Sequence, residues 1–171
     1  SATSTGSFGA LQIPGSNNNG IGIDVNGNTN TVMVRQGTMG SSDTGGHRAK
    51  VKVEGDTNTL TLYQYNAGAG NSSHYSDIDV LGTSNTVTTH QRDNSAKVFF
   101  LDLDGSSNTL TIDQKETGNH YLDIDVNGNS HTITATQRGS GDHGARISVT
   151  NSGGASTVTL DQNSSTDQNY T

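Results

Sequence analysis

The chain has 171 residues, a formal net charge of −7 and 27% hydrophobic residues, with no Trp, no Cys and a single Pro. A globular domain usually carries about 45–50% apolar residues, so an ordinary compact core is excluded, and disorder or a thin repetitive core remains. The acidic balance argues against a general nucleic-acid binder, the lack of Cys excludes a disulfide framework and Cys-based metal sites, and no apolar run approaches the ~18 residues of a membrane-spanning helix.

An internal repeat decides for the thin core. Residues 1–18 precede it as an arm or half repeat: 1–10 are small and polar, and Leu11, Ile13, Gly15 and Asn18 have the order apolar, apolar, Gly, Asn. Because the chain starts at Ser1 rather than Met, a signal peptide is expected to have been removed. Over 19–162, six segments align on a Gly and a Gln nine residues later: Gly27/Gln36, Gly55/Gln64, Gly82/Gln91, Gly105/Gln114, Gly128/Gln137 and Gly153/Gln162. Upstream of each Gly lies an alternating aliphatic pair, from Ile23/Val25 and Val51/Val53 through Ile78/Val80, Leu101/Leu103 and Ile124/Val126 to Ile147/Val149, the last two residues further from its Gly. Downstream come Asn30, Asn58, Asn85 and Asn108, replaced by His131 and Ser156 in the last two copies, then a Thr and a second alternating run. Period-2 alternation marks both runs as strands. Gly-x-x-Asn marks the first turn, Gly and Asn being expected to supply positive φ. The second turn is expected to be longer in the first two copies (Gly37–Gly46 and Tyr65–Ser73). Residues 163–171 form a C-terminal tail.

A unit with two short strands cannot bury its apolar face alone and must stack on its neighbours. The predicted fold is therefore an all-β solenoid of about six strand-turn-strand-turn coils, with the strands in two stacked parallel sheets. Inward residues then form columns: an aliphatic interior, an amide ladder of Gln36, Gln64, Gln91, Gln114, Gln137 and Gln162, and a second ladder of Asn30, Asn58, Asn85 and Asn108. A buried amide is costly unless paired, and stacked amides pair along the column.

Gly27-x2-Asn30-x-Val32-x3-Gln36 and its copies at Gly55, Gly82 and Gly105 resemble the second half of the curlin repeat of bacterial curli subunits, Ser-x5-Gln-x-Gly-x2-Asn-x-Ala-x3-Gln. The first half departs: Val25, Val53, Val80, Leu103 and Val126 stand for the family's first Gln, and Asn19, His47, His74, Lys97, His120 and His143 for its Ser. The resemblance covers about residues 19–162 and implies a secreted subunit that self-assembles into an extracellular, amyloid-like fibre of a biofilm matrix or cell surface. Its partners would be copies of itself, with a nucleator and secretion machinery, and no cofactor.

Three further columns invite chemistry. His47, His74, His120 and His143 share one phase of the coil, expected at its corner, and three readings stand: neutral His filling a polar corner, a pH switch through repulsion between stacked imidazolium ions, or metal binding by adjacent pairs. Asp24, Asp79, Asp102 and Asp125 form an outward column with Lys52 between them, either simply solvated or, at Asp79, Asp102 and Asp125, bridged by calcium. Thr59/Thr61, Thr86/Thr88, Thr109/Thr111, Thr132/Thr134 and Thr157/Thr159 form an outward Thr-x-Thr array like the ice-binding face of some solenoid antifreeze proteins, which is the alternative function; high β-propensity explains it equally. No nucleophile elbow, phosphate loop or His-Glu-x-x-His is present, and no enzymatic activity is expected.

Overall fold

The computed structural model describes residues 10–13, 19–27, 29–37, 46–65, 74–92, 96–115, 117–163 and 166–171. They form fourteen strands and no helix: β1 (Ala10–Ile13), β2 (Asn19–Asn26), β3 (Thr31–Gln36), β4 (His47–Glu54), β5 (Thr59–Tyr65), β6 (His74–Leu81), β7 (Thr86–Arg92), β8 (Lys97–Asp104), β9 (Thr109–Lys115), β10 (His120–Asn127), β11 (Thr132–Arg138), β12 (His143–Thr150), β13 (Thr157–Asn163) and β14 (Gln168–Tyr170). Odd-numbered strands make one seven-stranded parallel sheet and even-numbered strands the other, each ordered along the chain. The molecule is a β-solenoid of six full coils, β2/β3 to β12/β13, with β1 added below the first and β14 above the last.

Register is strict because one face of each strand is buried, and a one-residue slip would turn the apolar set outward. Thr59, Leu60, Thr61 and Leu62 lie beside Thr86, Val87, Thr88 and Thr89, and Gln64 beside Gln91. The interior is a single apolar stack including Val34, Leu62, Ile78, Phe99, Leu103, Leu110, Leu122, Ile124 and Ile133, all fully buried. Two parallel sheets face each other with one layer of side chains from each, so few apolar residues per coil suffice, and the low apolar fraction follows.

The first turn is built differently from the sequence expectation. Gly27, Gly55, Gly82, Gly105 and Gly128 have φ between 115° and 143°, but the second left-handed residue is the Thr or Ser before the Asn position: Thr29, Thr57, Ser84, Ser107 and Ser130, with φ of 58–62°. Asn30, Asn58, Asn85 and Asn108 are not among the positive-φ residues. Stacked turns bond to one another, Gly82 N–H to the Asp104 carbonyl and Ser84 N–H to the Ser106 carbonyl, both at 2.9 Å. The sixth coil turns otherwise. Gly153 is not left-handed; Asn151 Oδ1 accepts from the Gly153 and Gly154 N–H groups, both at 3.1 Å. That turn absorbs the two extra residues before β13 resumes the register through Thr157 N–H to the His131 carbonyl, at 2.8 Å.

Strand pairing places both ends. Leu11 and Ile13 lie beside Val34 and Gln36 in the odd-strand sheet, so β1 occupies the place of a second strand. The tail contains β14, with Gln168 beside His143 and Tyr170 beside Ala145. Gly15, Asn18, residues 1–9 and most of the two longer second turns lie outside the described residues.

The stacked glycines leave no room for a side chain: a Cβ on Gly105 would sit 1.8 Å from the Gly82 carbonyl oxygen, whereas one on Gly22 would meet nothing within 4 Å. Gly105→Ala is therefore expected to cost about 2 kcal/mol or more and Gly22→Ala less than about 0.5 kcal/mol, compared by urea denaturation; equal midpoints would contradict the stacked-turn geometry.

Candidate functional site

The Gln column runs the length of the solenoid. Gln64 Nε2 donates to Gln36 Oε1 at 2.8 Å, Gln91 to Gln64 at 2.9 Å, Gln114 to Gln91 at 2.9 Å, Gln137 to Gln114 at 3.0 Å and Gln162 to Gln137 at 2.8 Å. Every amide points the same way. The second amide hydrogen crosses the second turn to the carbonyl of the next strand's second residue: Arg48, Tyr75, Val98, Tyr121 and Gly144, at 3.0–3.1 Å. That reach holds whether the intervening turn is long or short, so the Gln clamps the second turn as well as the stack. Ser76, fully buried, joins the ladder by donating to Gln64 Oε1 at 3.0 Å. It lies in register with Ala49 and Phe99, where the pattern alone reads as apolar.

The Asn column is not a side-chain ladder. Its amides serve the backbone: Asn30, Asn58 and Asn85 donate their N–H groups to Oδ1 of Asn58, Asn85 and Asn108, at 2.6–2.7 Å. Asn58 Nδ2 turns back to the Gly55 carbonyl at 2.8 Å. Asn30 and Asn58 thus seal their own turns, Asn108 Nδ2 reaches back to the Gly82 carbonyl at 3.3 Å, and Asn58, Asn85 and Asn108 each anchor the coil below. In the fifth coil His131 donates its N–H to Ser156 Oγ at 3.2 Å, and burial lowers the His131 pKa, opposed by the Gly105 carbonyl.

His47, His74, His120 and His143 share one register column with Lys97, and all five are buried, at 0–3% exposure. The rings of His47 and His74 stack at 5.3 Å and those of His120 and His143 lie 4.8 Å apart. His47 Nε2 meets the Tyr65 carbonyl at 2.8 Å and His74 Nε2 the Arg92 carbonyl at 3.1 Å, so each ring closes the far end of its own coil. Burial, then Lys97 and His143, push His120 down to about 3, against the pull of the Arg138 carbonyl. Burial also lowers His143, with Lys97 adding to the effect and the Gly141 carbonyl and Asp142 opposing it.

Outside, Asp79, Asp102 and Asp125 lie side by side on adjacent strands. The pKa of Asp102 is raised by partial burial and by Asp79, Asp125 and Asp104. Arg146 reaches the edge of this patch, 2.6 Å from Asp123 and 3.8 Å from Asp125. Among the described residues no three His, Cys, Asp or Glu groups are placed to hold a metal ion. The two Thr columns run in register from coil to coil, interrupted at Met33. On the same sheet Asp113 accepts from His90 at 3.2 Å, Arg92 at 3.0 Å and Lys115 at 3.1 Å. Burial raises its pKa, and those donors overcome it and bring it to about 2. Sequence reasoning missed this knot, because its members sit at successive coils in columns otherwise filled by Tyr63, Thr136 and Asp161.

Comparison with protein-family models, curated proteins and solved structures returns no match. The columns therefore carry the functional reading alone. They supply pairing between successive coils.

Gln91 donates to Gln64 Oε1 and the Val98 carbonyl, lies 3.2 Å from Ser76 Oγ, and accepts from Gln114. Gln91→Leu is expected to cost about 1–3 kcal/mol by stranding those partners, and Val87→Asp more, about 3–5 kcal/mol, by placing a charge in the dry interior. Urea denaturation should rank the two in that order; equal losses would contradict it.

The depressed His120 pKa has a defined sign. The folded state holds the ring neutral down to about 3, while the unfolded chain protonates it near 6.5. Its contribution is fully present above ~6.5 and is lost as the pH falls from there toward 3, on the order of 2–3 kcal/mol by pH 4. Thermal midpoints should drop between pH 7 and pH 4.5, above the range where most carboxylates titrate, and His120→Gln should shallow that drop; an unchanged slope would remove the effect.

Proposed function

We propose that the chain is a structural subunit that stacks end to end into an extracellular, curli-like amyloid fibre of a biofilm matrix or cell surface. The observation that carries this reading is the open apolar edge at each end of the described solenoid. Val158 is 43% exposed, although Ile133, Leu110, Val87, Leu60 and Val32 in the same column are at 0–1%. Ile21 and Ile23 at the other end, and Ile147, Val149 and Leu160 near this one, are only partly buried. Solenoids that remain monomeric cover such ends with polar capping units, and uncovered parallel edges template further strands. The Gln and Asn columns would continue across the junction as they run from coil to coil. Copies of the chain are the main partners in this reading, with a nucleator and secretion machinery upstream. No described helix is long and apolar enough to cross a membrane.

The in-register Thr columns favour a second reading, ice binding. Outward hydroxyls at Thr59, Thr61, Thr86, Thr88, Thr109, Thr111, Thr132, Thr134, Thr157 and Thr159 repeat at ~4.8 Å between coils and ~6.6 Å along each strand.

Negative-stain electron microscopy of the purified chain at micromolar concentration and neutral pH separates the two. Long unbranched filaments, giving a reflection near 4.8 Å in X-ray fibre diffraction, are the expected result. Persistent monomers, with thermal hysteresis in freezing solution, would overturn the fibre reading in favour of the Thr face.

A further inference from the structure

The two sheets end out of step. At the lower end the odd-strand sheet extends one strand beyond the even-strand sheet, because β1 pairs with β3 and no described strand lies below β2. At the upper end the even-strand sheet extends instead, because β14 pairs with β12 and no described strand lies above β13. Each end of the described solenoid is therefore half a coil: a second strand without its first below, and a first strand without its second above.

The pattern of burial follows the step. Beneath β14, His143 and Ala145 are buried, while in the uncovered β13 of the same coil Val158 is 43% exposed. Above β1, Val34 and Gln36 are fully buried, while in the uncovered β2 of the same coil Ile21 and Ile23 are only partly so, and Val25, next to the first turn, is buried. Of the apolar surface left open, Leu160 lies in the column of Leu11 and Ile21 in the column of Tyr170, the positions of the two projecting strands, while Val158 and Ile23 fall just beyond the described residues of those strands.

We infer that two copies of this chain join by a lap in which β14 of one and β1 of the next complete a single hybrid coil. This inference rests on the end-to-end reading above and specifies its joint. In it, β1 of the incoming copy pairs with β13, and β14 pairs with β2 of the incoming copy. Continuing the observed columns fixes the register. Ala10 and Leu11 share columns with Thr159 and Leu160 through Met33 and Val34, so they fall beside those residues of the copy below. Gln168 and Asn169 share columns with Asn19 and Gly20 through β4 to β12, and fall beside those residues of the copy above. Both sheets then run through the joint without a missing rung, and the contact is heterologous, so it propagates rather than closing into a dimer. A blunt junction between flush ends would leave both projecting strands without a place.

The absence of Cys from the chain makes the joint testable by crosslinking. Gly20 and Asn169 are exposed, and a Cβ on Gly20 or on Gly22 meets nothing within 4 Å. Across the proposed joint Gly20 and Asn169 are neighbours on adjacent strands, ~4.8 Å apart and within disulfide range. Within one chain they are six strands apart in the sheet, roughly 29 Å, and cannot bridge. Gly20→Cys/Asn169→Cys chains, assembled under reducing conditions and then oxidised, should give a ladder of covalent multimers on a non-reducing gel. Gly22→Cys/Asn169→Cys, two residues out of register and ~8 Å apart, should give at least tenfold less. Mixing chains that carry only Gly20→Cys with chains that carry only Asn169→Cys should give covalent dimers and nothing larger, a control that needs no doubly substituted chain to fold. Filaments from the unsubstituted chain, with no ladder and no mixed dimer, would overturn the lap joint and leave the fibre reading intact. Absence of filaments from the unsubstituted chain would overturn both.

Discussion

In a parallel stack held in register, each side chain lies about 4.8 Å from its counterpart in the next coil, and the rest of the structure depends on what tolerates that proximity. Aliphatic side chains gain from it, and they fill the interior from Val25 to Ala145. Primary amides gain too, because each carries both donors and acceptors, and Gln36 to Gln162 form a continuous ladder. Glycine tolerates it where nothing larger fits, as at Gly82, Gly105 and Gly128. Like charges are penalised, and the outward face shows the remedy: Lys52 stands in the Asp24/Asp79 column, and Lys50 and Arg146 stand beside Asp77 and Asp123. Among the described residues only Asp79, Asp102 and Asp125 run uninterrupted, and there the pKa of the central carboxyl is raised.

The buried polar columns do two jobs at once. A Gln that bonded only along the ladder would leave one amide hydrogen stranded in a dry interior, at a cost of about 1–3 kcal/mol. The second bond, across the turn to Arg48, Tyr75, Val98, Tyr121 or Gly144, removes that cost and fixes the entry of the next strand. The Asn column couples neighbouring turns in the same way, through backbone N–H groups rather than through other amides. The His column is the counter-case. A neutral imidazole closes the coil against the Tyr65 or Arg92 carbonyl, but protonation would set like charges side by side in a column that already contains Lys97.

The coil period, the two strands per coil and the identity of the inward columns were legible in the sequence, because Gly, Gln and the aliphatic pairs recur at fixed offsets and a period of 2 has one physical meaning. The direction of the Asn side chains was not. Gly-x-x-Asn allows either residue to take positive φ, and the choice of Thr29, Thr57, Ser84, Ser107 and Ser130 instead follows from turns stacking on turns, which no single repeat reveals. The placement of β1 was not legible for a related reason: Leu11 and Ile13 alternate like either strand, and only pairing with Val34 and Gln36 distinguishes them. The Asp113 knot was invisible because its partners come from two coils and two outward columns with no common residue type.

A solenoid with one apolar layer per sheet has little core per coil, so its ends matter more than those of a globular domain. Interior coils bury their aliphatics almost completely, while the first and last coils leave Ile21, Ile23, Ile147, Val149, Val158 and Leu160 partly open. That exposure is a fixed cost per free molecule and does not shrink as coils are added. Polar caps would remove it by ending growth. Joining copies removes it by continuing growth, since the same register that pairs β11 with β13 is available to a further strand. The offset between the two sheets strengthens that route: a projecting strand has half its environment already built on the neighbouring copy, and the ordering entropy of a single short strand is offset by completing two sheets at once.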